Sequence, residues 1–154
     1  MTVRRLDVVR EAFRPVYTVW ELTLACDQRC VHCGSRADDE RPGELTTAEA
    51  LEVARQLIAA GAREIALIGG EAYLHPGFLE IVRALSTAGA RVTMTTGGRS
   101  LGPELAEAMK AAGIDAVSVS IDGLEHTHDR MRASLGSFAA ATGALRSLAD
   151  AGTV

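Results

Sequence analysis

The stretch Thr46–Gly70, TTAEALEVARQLIAAGAREIALIGG, decides the fold. Thr46-Thr47-Ala48-Glu49 has the form of a capping box, with a hydroxyl at the helix entry and a carboxylate three residues on. Leu51, Ala54, Leu57 and Ile58 then recur at three- and four-residue intervals, the spacing of one apolar helix face. Ala60-Gly61 stops that helix, because glycine takes the left-handed conformation that turns a chain out of its last turn. Glu64 to Ile68 follows as a short apolar run of the kind found in buried strands, and Gly69-Gly70 ends it.

The same unit repeats outward in both directions. Phe78, Ile81, Val82 and Leu85 mark a second helix, and Arg91 to Thr95 a third strand. Gly102-Pro103 opens a third helix, with proline at the first position where its missing N–H costs nothing. Its core face is Leu105, Ala108, Met109 and Ala112. Ala116 to Ile121 is a fourth strand, and Phe138, Ala141, Thr142, Leu145 and Leu148 a fourth helix. Upstream, Val16 to Thr23 (VYTVWELT) is the β-branched and aromatic run that opens the series. The Ala-Gly stop recurs at Ala88-Gly89, Ala112-Gly113 and Ala151-Gly152. Strands and helices alternating through such short joints predict parallel βαβ units of right-handed connection. Four units are expected over residues 16–154, behind a lead-in over residues 1–15. Thr153-Val154 reads as the opening of a fifth strand, so a C-terminally incomplete core domain is expected.

Composition narrows the function classes. A length of 154 residues allows one domain with a real core. A net charge of −4 supplies no field for nucleic acid or an anionic membrane. No apolar run approaches bilayer-spanning length, and Arg4, Arg5 and Arg10 break up any secretory h-region. A cytoplasmic protein is expected.

Three cysteines lie within eight residues, Cys26-Asp27-Gln28-Arg29-Cys30-Val31-His32-Cys33, directly after the first strand. Their odd number and a reducing compartment argue against a disulfide framework. Three thiolates this close can hold one metal centre. A closed iron–sulfur site takes four thiolates and a closed zinc site four N/S ligands, so three leave one corner for something else. A zinc site completed by His32 or a distant histidine, in a structural or interaction module, is the competing reading.

The spacing C-x3-C-x2-C resembles that of radical S-adenosylmethionine (SAM) enzymes, and the likeness extends from about Val16 to the last residue. It implies a parallel (βα)n partial TIM-type barrel, here about four of six βα units. It also implies that Cys26, Cys30 and Cys33 bind three irons of a 4Fe-4S cluster whose fourth iron takes the amino and carboxylate groups of SAM. In the family, one electron from the cluster splits SAM into methionine and a 5′-deoxyadenosyl radical, which abstracts hydrogen from the substrate. In a parallel barrel such sites lie at the C-terminal strand ends, where the remaining motifs fall. Gly69-Gly70-Glu71-Ala72 resembles the GGEP motif that receives the SAM amino group, with alanine replacing proline. Thr95-Thr96-Gly97-Gly98 stands where relatives show Thr-Asn-Gly and is expected to line the pocket. Ser118-Val119-Ser120-Ile121-Asp122-Gly123 resembles a Ser-x-Asp-Gly segment, which implies that Ser120 and Asp122 lie near the SAM ribose.

His32 occupies a position that is often aromatic in the family, where it stacks near the cluster or simply packs the loop; its sequence neighbourhood identifies no charge partner. His126-Thr127-His128-Asp129 reads as a surface loop, although a His-x-His pair can also ligate a metal. Arg132 is the candidate for a SAM carboxylate contact. The wording around the motifs resembles the branch carrying a SPASM or related auxiliary-cluster domain, whose members modify peptides, sugars or protein side chains. The partners implied are a small-molecule or peptide substrate and an external one-electron reductant of flavodoxin or ferredoxin type, with neither nucleic acid nor membrane.

Overall fold

The computed structural model describes residues 14–153; the lead-in expected over 1–15 lies outside them except for Arg14 and Pro15. The described chain runs β1 (Tyr17–Thr23), α1 (Thr47–Ala59), β2 (Glu64–Gly69), α2 (Phe78–Thr87), β3 (Arg91–Thr96), α3 (Pro103–Ala112), β4 (Ala116–Val119), α4 (Glu125–Met131) and α5 (Ser137–Ala151), with a 3-10 turn at Ala72–Leu74. The strands form one parallel sheet in the order β1-β2-β3-β4. Helices pack on their sequence neighbours, α1 on α2, α2 on α3 and α3 on α5. They therefore cover one face of the sheet, as in a (βα) barrel and unlike a doubly wound sheet.

Local chemistry sets the helix ends as expected. The Thr46 hydroxyl accepts from the Glu49 N–H at 3.3 Å, and the Glu49 carboxylate accepts from the Thr46 N–H at 2.9 Å. Each βα unit closes on a glycine with positive φ, Gly61, Gly89, Gly113 and Gly152. The core is built where the apolar periodicity placed it. Phe78, Ile81, Val82 and Leu85 of α2 are buried, together with Ile65, Leu67, Val92, Met94 and Met109. In α3 Met109 and Ala112 are buried as expected, and Ala106 takes the buried place expected of Ala108.

Alternation along the strands puts Val92, Met94 and Val117 against the helices and leaves Val19, Thr95 and Ser118 exposed on the other face. A register irregularity between Glu21 and Thr23 disturbs the β1–β2 pairing just before the cysteine loop. Such a bulge re-aims the chain as it leaves the sheet. At the far side of the sheet, the Thr153 carbonyl accepts from the Val117 N–H at 3.1 Å, so the chain after α5 lies along the outer edge of β4. Among the described residues no helix is long and apolar enough to cross a membrane.

One expectation is corrected here. The segment from Glu125 to Met131 is a helix rather than a loop, and His128 and Asp129 within it are buried. Asp129 explains the difference. Its carboxylate accepts from the Gly136 N–H at 2.7 Å and the Phe138 N–H at 2.8 Å, which ties α4 to the start of α5. The Phe138 N–H is the chief cause that holds the Asp129 carboxyl below the usual range.

Candidate active site

The cysteine loop is shaped by its flanks. Glu44 bridges the end of β1, accepting from the Thr23 hydroxyl at 2.8 Å and the Leu24 N–H at 2.9 Å. The Cys26 N–H donates to the Asp38 carbonyl at 2.9 Å, and Asp38 returns a bond to the Leu24 carbonyl at 3.1 Å. Arg29 holds the Cys26 carbonyl at 2.8 Å and pairs with Asp38. On the other flank, the Val31 N–H donates to the Met131 carbonyl at 2.9 Å, which fastens the loop to the end of α4. All three cysteines are free thiols and half-buried. Burial pushes the Cys26 thiol up to about 11.

The glycine pair after β2 runs directly beneath that loop. The Gly70 N–H donates to the Thr23 carbonyl at 2.8 Å, and the Glu71 N–H to the Ala25 carbonyl at 2.7 Å. A Cβ on Gly69 would collide with the Thr23 carbonyl oxygen, and one on Gly70 with those of Ala25 and Leu24. The two glycines therefore let the end of β2 touch the base of the cysteine loop. Ala72, which stands where the GGEP motif has proline, is fully buried and opens the 3-10 turn.

Glu71 is buried, and its carboxylate is received by the end of β3: the Gly97 N–H donates to Oε1 at 2.7 Å, and the Thr96 hydroxyl donates to Oε2. Thr96 and Gly97 thus hold the carboxylate of the preceding unit as well as lining the pocket. Burial raises Glu71 to about 7, against the lowering effect of those two bonds. Cys26, Asp27 and Glu71 bring their ligand atoms within 4.8 Å of one another. Asp27 in turn accepts from the Tyr73 hydroxyl at 3.2 Å and the Ser100 hydroxyl at 2.5 Å.

At the end of β4, Arg132 gathers the remaining groups. Its Nε lies 2.6 Å from Asp122 Oδ2, its Nη2 donates to the Ser120 carbonyl at 3.3 Å, and its Nη1 lies 3.7 Å from Cys30 Sγ. His32 does have a charge partner, Asp122 Oδ1 at 3.5 Å from its Nε2. That partner is 90 positions away in the chain (122 − 32), so no local pattern could reveal it. His75 is engaged elsewhere, with its Nε2 3.1 Å from the Leu45 carbonyl, and His128 is directed at Ser137 Oγ, 3.2 Å away.

The residues read from the sequence as cluster and SAM ligands, Cys26, Cys30 and Cys33 with Gly69, Gly70, Glu71, Ser120, Asp122 and Arg132, line one cavity of about 490 Å³. Thr95, Thr96 and Gly97 line it too, whereas Gly98, His126 and His128 do not. Sequence reasoning missed Gln28, Glu44 and Ser137. Gln28 sits inside the cysteine motif but carries no ligating atom of the expected kind, and the other two act through partners far away in the chain.

The motif arrangement and fold agree with what the chain is similar to. The AdoMet-dependent heme synthase of Methanosarcina barkeri is 41% identical over 126 residues, 80% of this chain and 36% of that protein. The sporulation killing factor maturation protein SkfB of Bacillus subtilis is 31% identical over 92% of this chain and 34% of its own length. The chain therefore spans about a third of the length of these curated relatives. Among solved structures, SuiB of Streptococcus suis bound to S-adenosylmethionine matches 91% of this chain and 32% of its own with a TM-score of 0.78, at 16% identity. The same SuiB bound to its precursor peptide SuiA gives a TM-score of 0.77. The Radical SAM superfamily model matches residues 20–154, from the middle of β1 through all four strands and the cavity they carry, and the chain belongs to that family of enzymes.

Proposed function

We propose that residues 16–154 form the core of a radical SAM enzyme, with Cys26, Cys30 and Cys33 as the ligands of a 4Fe-4S cluster. The observation that carries this reading is the convergence of three thiols on one cavity with the ends of β2, β3 and β4. The donor set fits the group. Three thiols face the same space together with His32, whose Nε2 lies 3.5 Å from Asp122, and the buried Nε2 of Gln28 lacks a partner within the protein. Of the other histidines, His75 and His128 are turned to the Leu45 carbonyl and Ser137 Oγ, and neither lines this cavity.

Each residue has a task that its surroundings support. Glu71, with the backbone at Gly69 and Gly70, receives the amino end of SAM; Ser120 and Asp122 lie nearer its ribose, and Arg132 nearer its carboxylate. Bound in this cavity, the cluster supplies the electron that cleaves SAM to methionine and a 5′-deoxyadenosyl radical for hydrogen abstraction. The chain's own contribution is placement and exclusion of water. A flavodoxin- or ferredoxin-type donor would deliver the electron. The substrate class is drawn from the relatives, one named a heme synthase and one a sporulation killing factor maturation protein. The peptide reading gains support from the fold likeness to SuiB, which was solved with a precursor peptide.

The test is anaerobic reconstitution of the protein and of Cys26→Ala, Cys30→Ala and Cys33→Ala, with iron, sulfide and zinc counted. Iron and sulfide in wild type, lost in each variant, are expected. Undiminished cluster in any variant, or zinc in place of iron, rejects the assignment.

A further inference from the structure

Gln28 lies between the first two cysteines and is 3% exposed, yet its Nε2 has no hydrogen-bond partner. A buried donor left unpaired is costly, so its persistence asks for an acceptor from outside the chain.

The orientation of that amide is dictated from behind, one hydrogen bond at a time. The Asp122 backbone N–H donates to His128 Nδ1 at 3.2 Å, so that nitrogen carries no proton and the ring proton is on Nε2. Nε2 lies 3.2 Å from Ser137 Oγ and donates to it. Ser137 then turns its own hydrogen to Gln28 Oε1, 3.4 Å away. His128 and Ser137 are fully buried, and the imidazole is set edge-on against Phe138 with centroids 5.8 Å apart. The carbonyl end of the amide is thereby committed, and the NH2 end faces the other way. A Cβ on Gly97 would strike Gln28 Nε2 and crowd Glu71 Oε1, which places the NH2 over Gly97 in the cavity the cysteines line.

We propose that Gln28 donates a hydrogen bond to a sulfur of the centre held by Cys26, Cys30 and Cys33, and that His128 and Ser137 position it to do so. In the metal-free chain the Cys30 thiol donates to Oε1 at 3.9 Å, so the carbonyl end of the amide borders Cys30 and the acceptor for the NH2 is a sulfur of the centre other than that of Cys30. A donor to sulfur favours the more negative, reduced form of an iron–sulfur centre. Gln28 thus adjusts how readily the centre accepts its electron, and the relay couples that adjustment to the backbone of Asp122 at the end of β4.

This rests on the iron–sulfur reading of the cavity, so cluster content is measured before anything else. Wild type, Gln28→Leu, Ser137→Ala and the double variant are reconstituted anaerobically, and their reduction potentials are titrated by EPR without SAM. A wild type that holds no iron and sulfide defeats the underlying reading. With equal cluster content, Gln28→Leu should make reduction up to tenfold less favourable, about 59 mV for a one-electron couple. Ser137→Ala should give a smaller shift of the same sign, and the double variant no more than Gln28→Leu alone. Ser137→Ala keeps the amide and removes only its anchor, so it carries the test if Gln28→Leu does not fold. Unmoved potentials overturn the proposal, as does a loss of SAM affinity without a change in potential, which would assign the donor to the SAM carboxylate. Additive shifts overturn the positioning role of Ser137.

Discussion

Arg132 Nη1 lies 3.7 Å from the sulfur of Cys30, a residue 102 positions earlier in the chain. The same guanidinium reaches the Asp122 carboxylate and the Ser120 carbonyl, so one side chain joins the cysteine loop to the end of β4. A planar fork of five donors can serve three acceptors at once, and a lysine ammonium cannot match that geometry.

Replacing Arg132 with alanine should therefore destabilise the metal-free protein by about 2–3 kcal/mol, since it strips a mostly buried ion pair and a carbonyl of their partner. Arg132→Lys should recover less than half of that. Urea unfolding followed by circular dichroism reads both. A double-mutant cycle with Asp122→Asn should show about 1–2 kcal/mol of coupling, and additivity of the two variants would count against the pairing.

Glu71 gives the metal-free protein a pH dependence of defined sign. Its pKa stands near 7 in the folded chain against 4.5 unperturbed, because burial disfavours the charge. The folded state thus holds more protons than the unfolded state between those values. This stability is fully present below 4.5 and is lost as pH rises through 7. Glu71→Gln keeps an acceptor for the Gly97 N–H and removes the charge. The variant should be more stable than wild type at pH 8 by on the order of 1–3 kcal/mol and indistinguishable from it at pH 4.5. Thermal unfolding at the two pH values checks this, and a gap of equal size at both would contradict it.

Glycine positions should separate sharply. Gly70→Ala drives a Cβ into the Ala25 and Leu24 carbonyls, which are backbone and cannot swing aside. It should cost on the order of 3 kcal/mol or prevent folding. Gly143 lies inside α5 with nothing within 4 Å of its missing Cβ. Gly143→Ala should stabilise by roughly 0.5–1 kcal/mol. Unfolding midpoints of the two variants, measured side by side, test the contrast.

The sequence by itself determined the alternation of strands and helices, because hydrophobic period and end signals are local. Thr46 with Glu49 capping α1, the Phe78–Leu85 stripe and the four Ala-Gly stops each act within a few residues. It also determined which residues would share a cavity, since parallel strands deliver their C-terminal ends to one side of the sheet. Only the tertiary structure decided what each group is bonded to. Gly69 and Gly70 stand out in the sequence as a motif, but only the structure shows that their missing side chains make room for the backbone of Thr23 to Ala25. Asp129 looked like surface until its carboxylate met the N–H groups that begin α5. The Asp122–His128–Ser137–Gln28 chain links residues up to 109 positions apart, and such partners share no periodicity that a local reading could detect. Hydrogen-bond partners of buried polar groups are set by three-dimensional proximity, and it was the packing of α4 and α5 against the cysteine loop that supplied it.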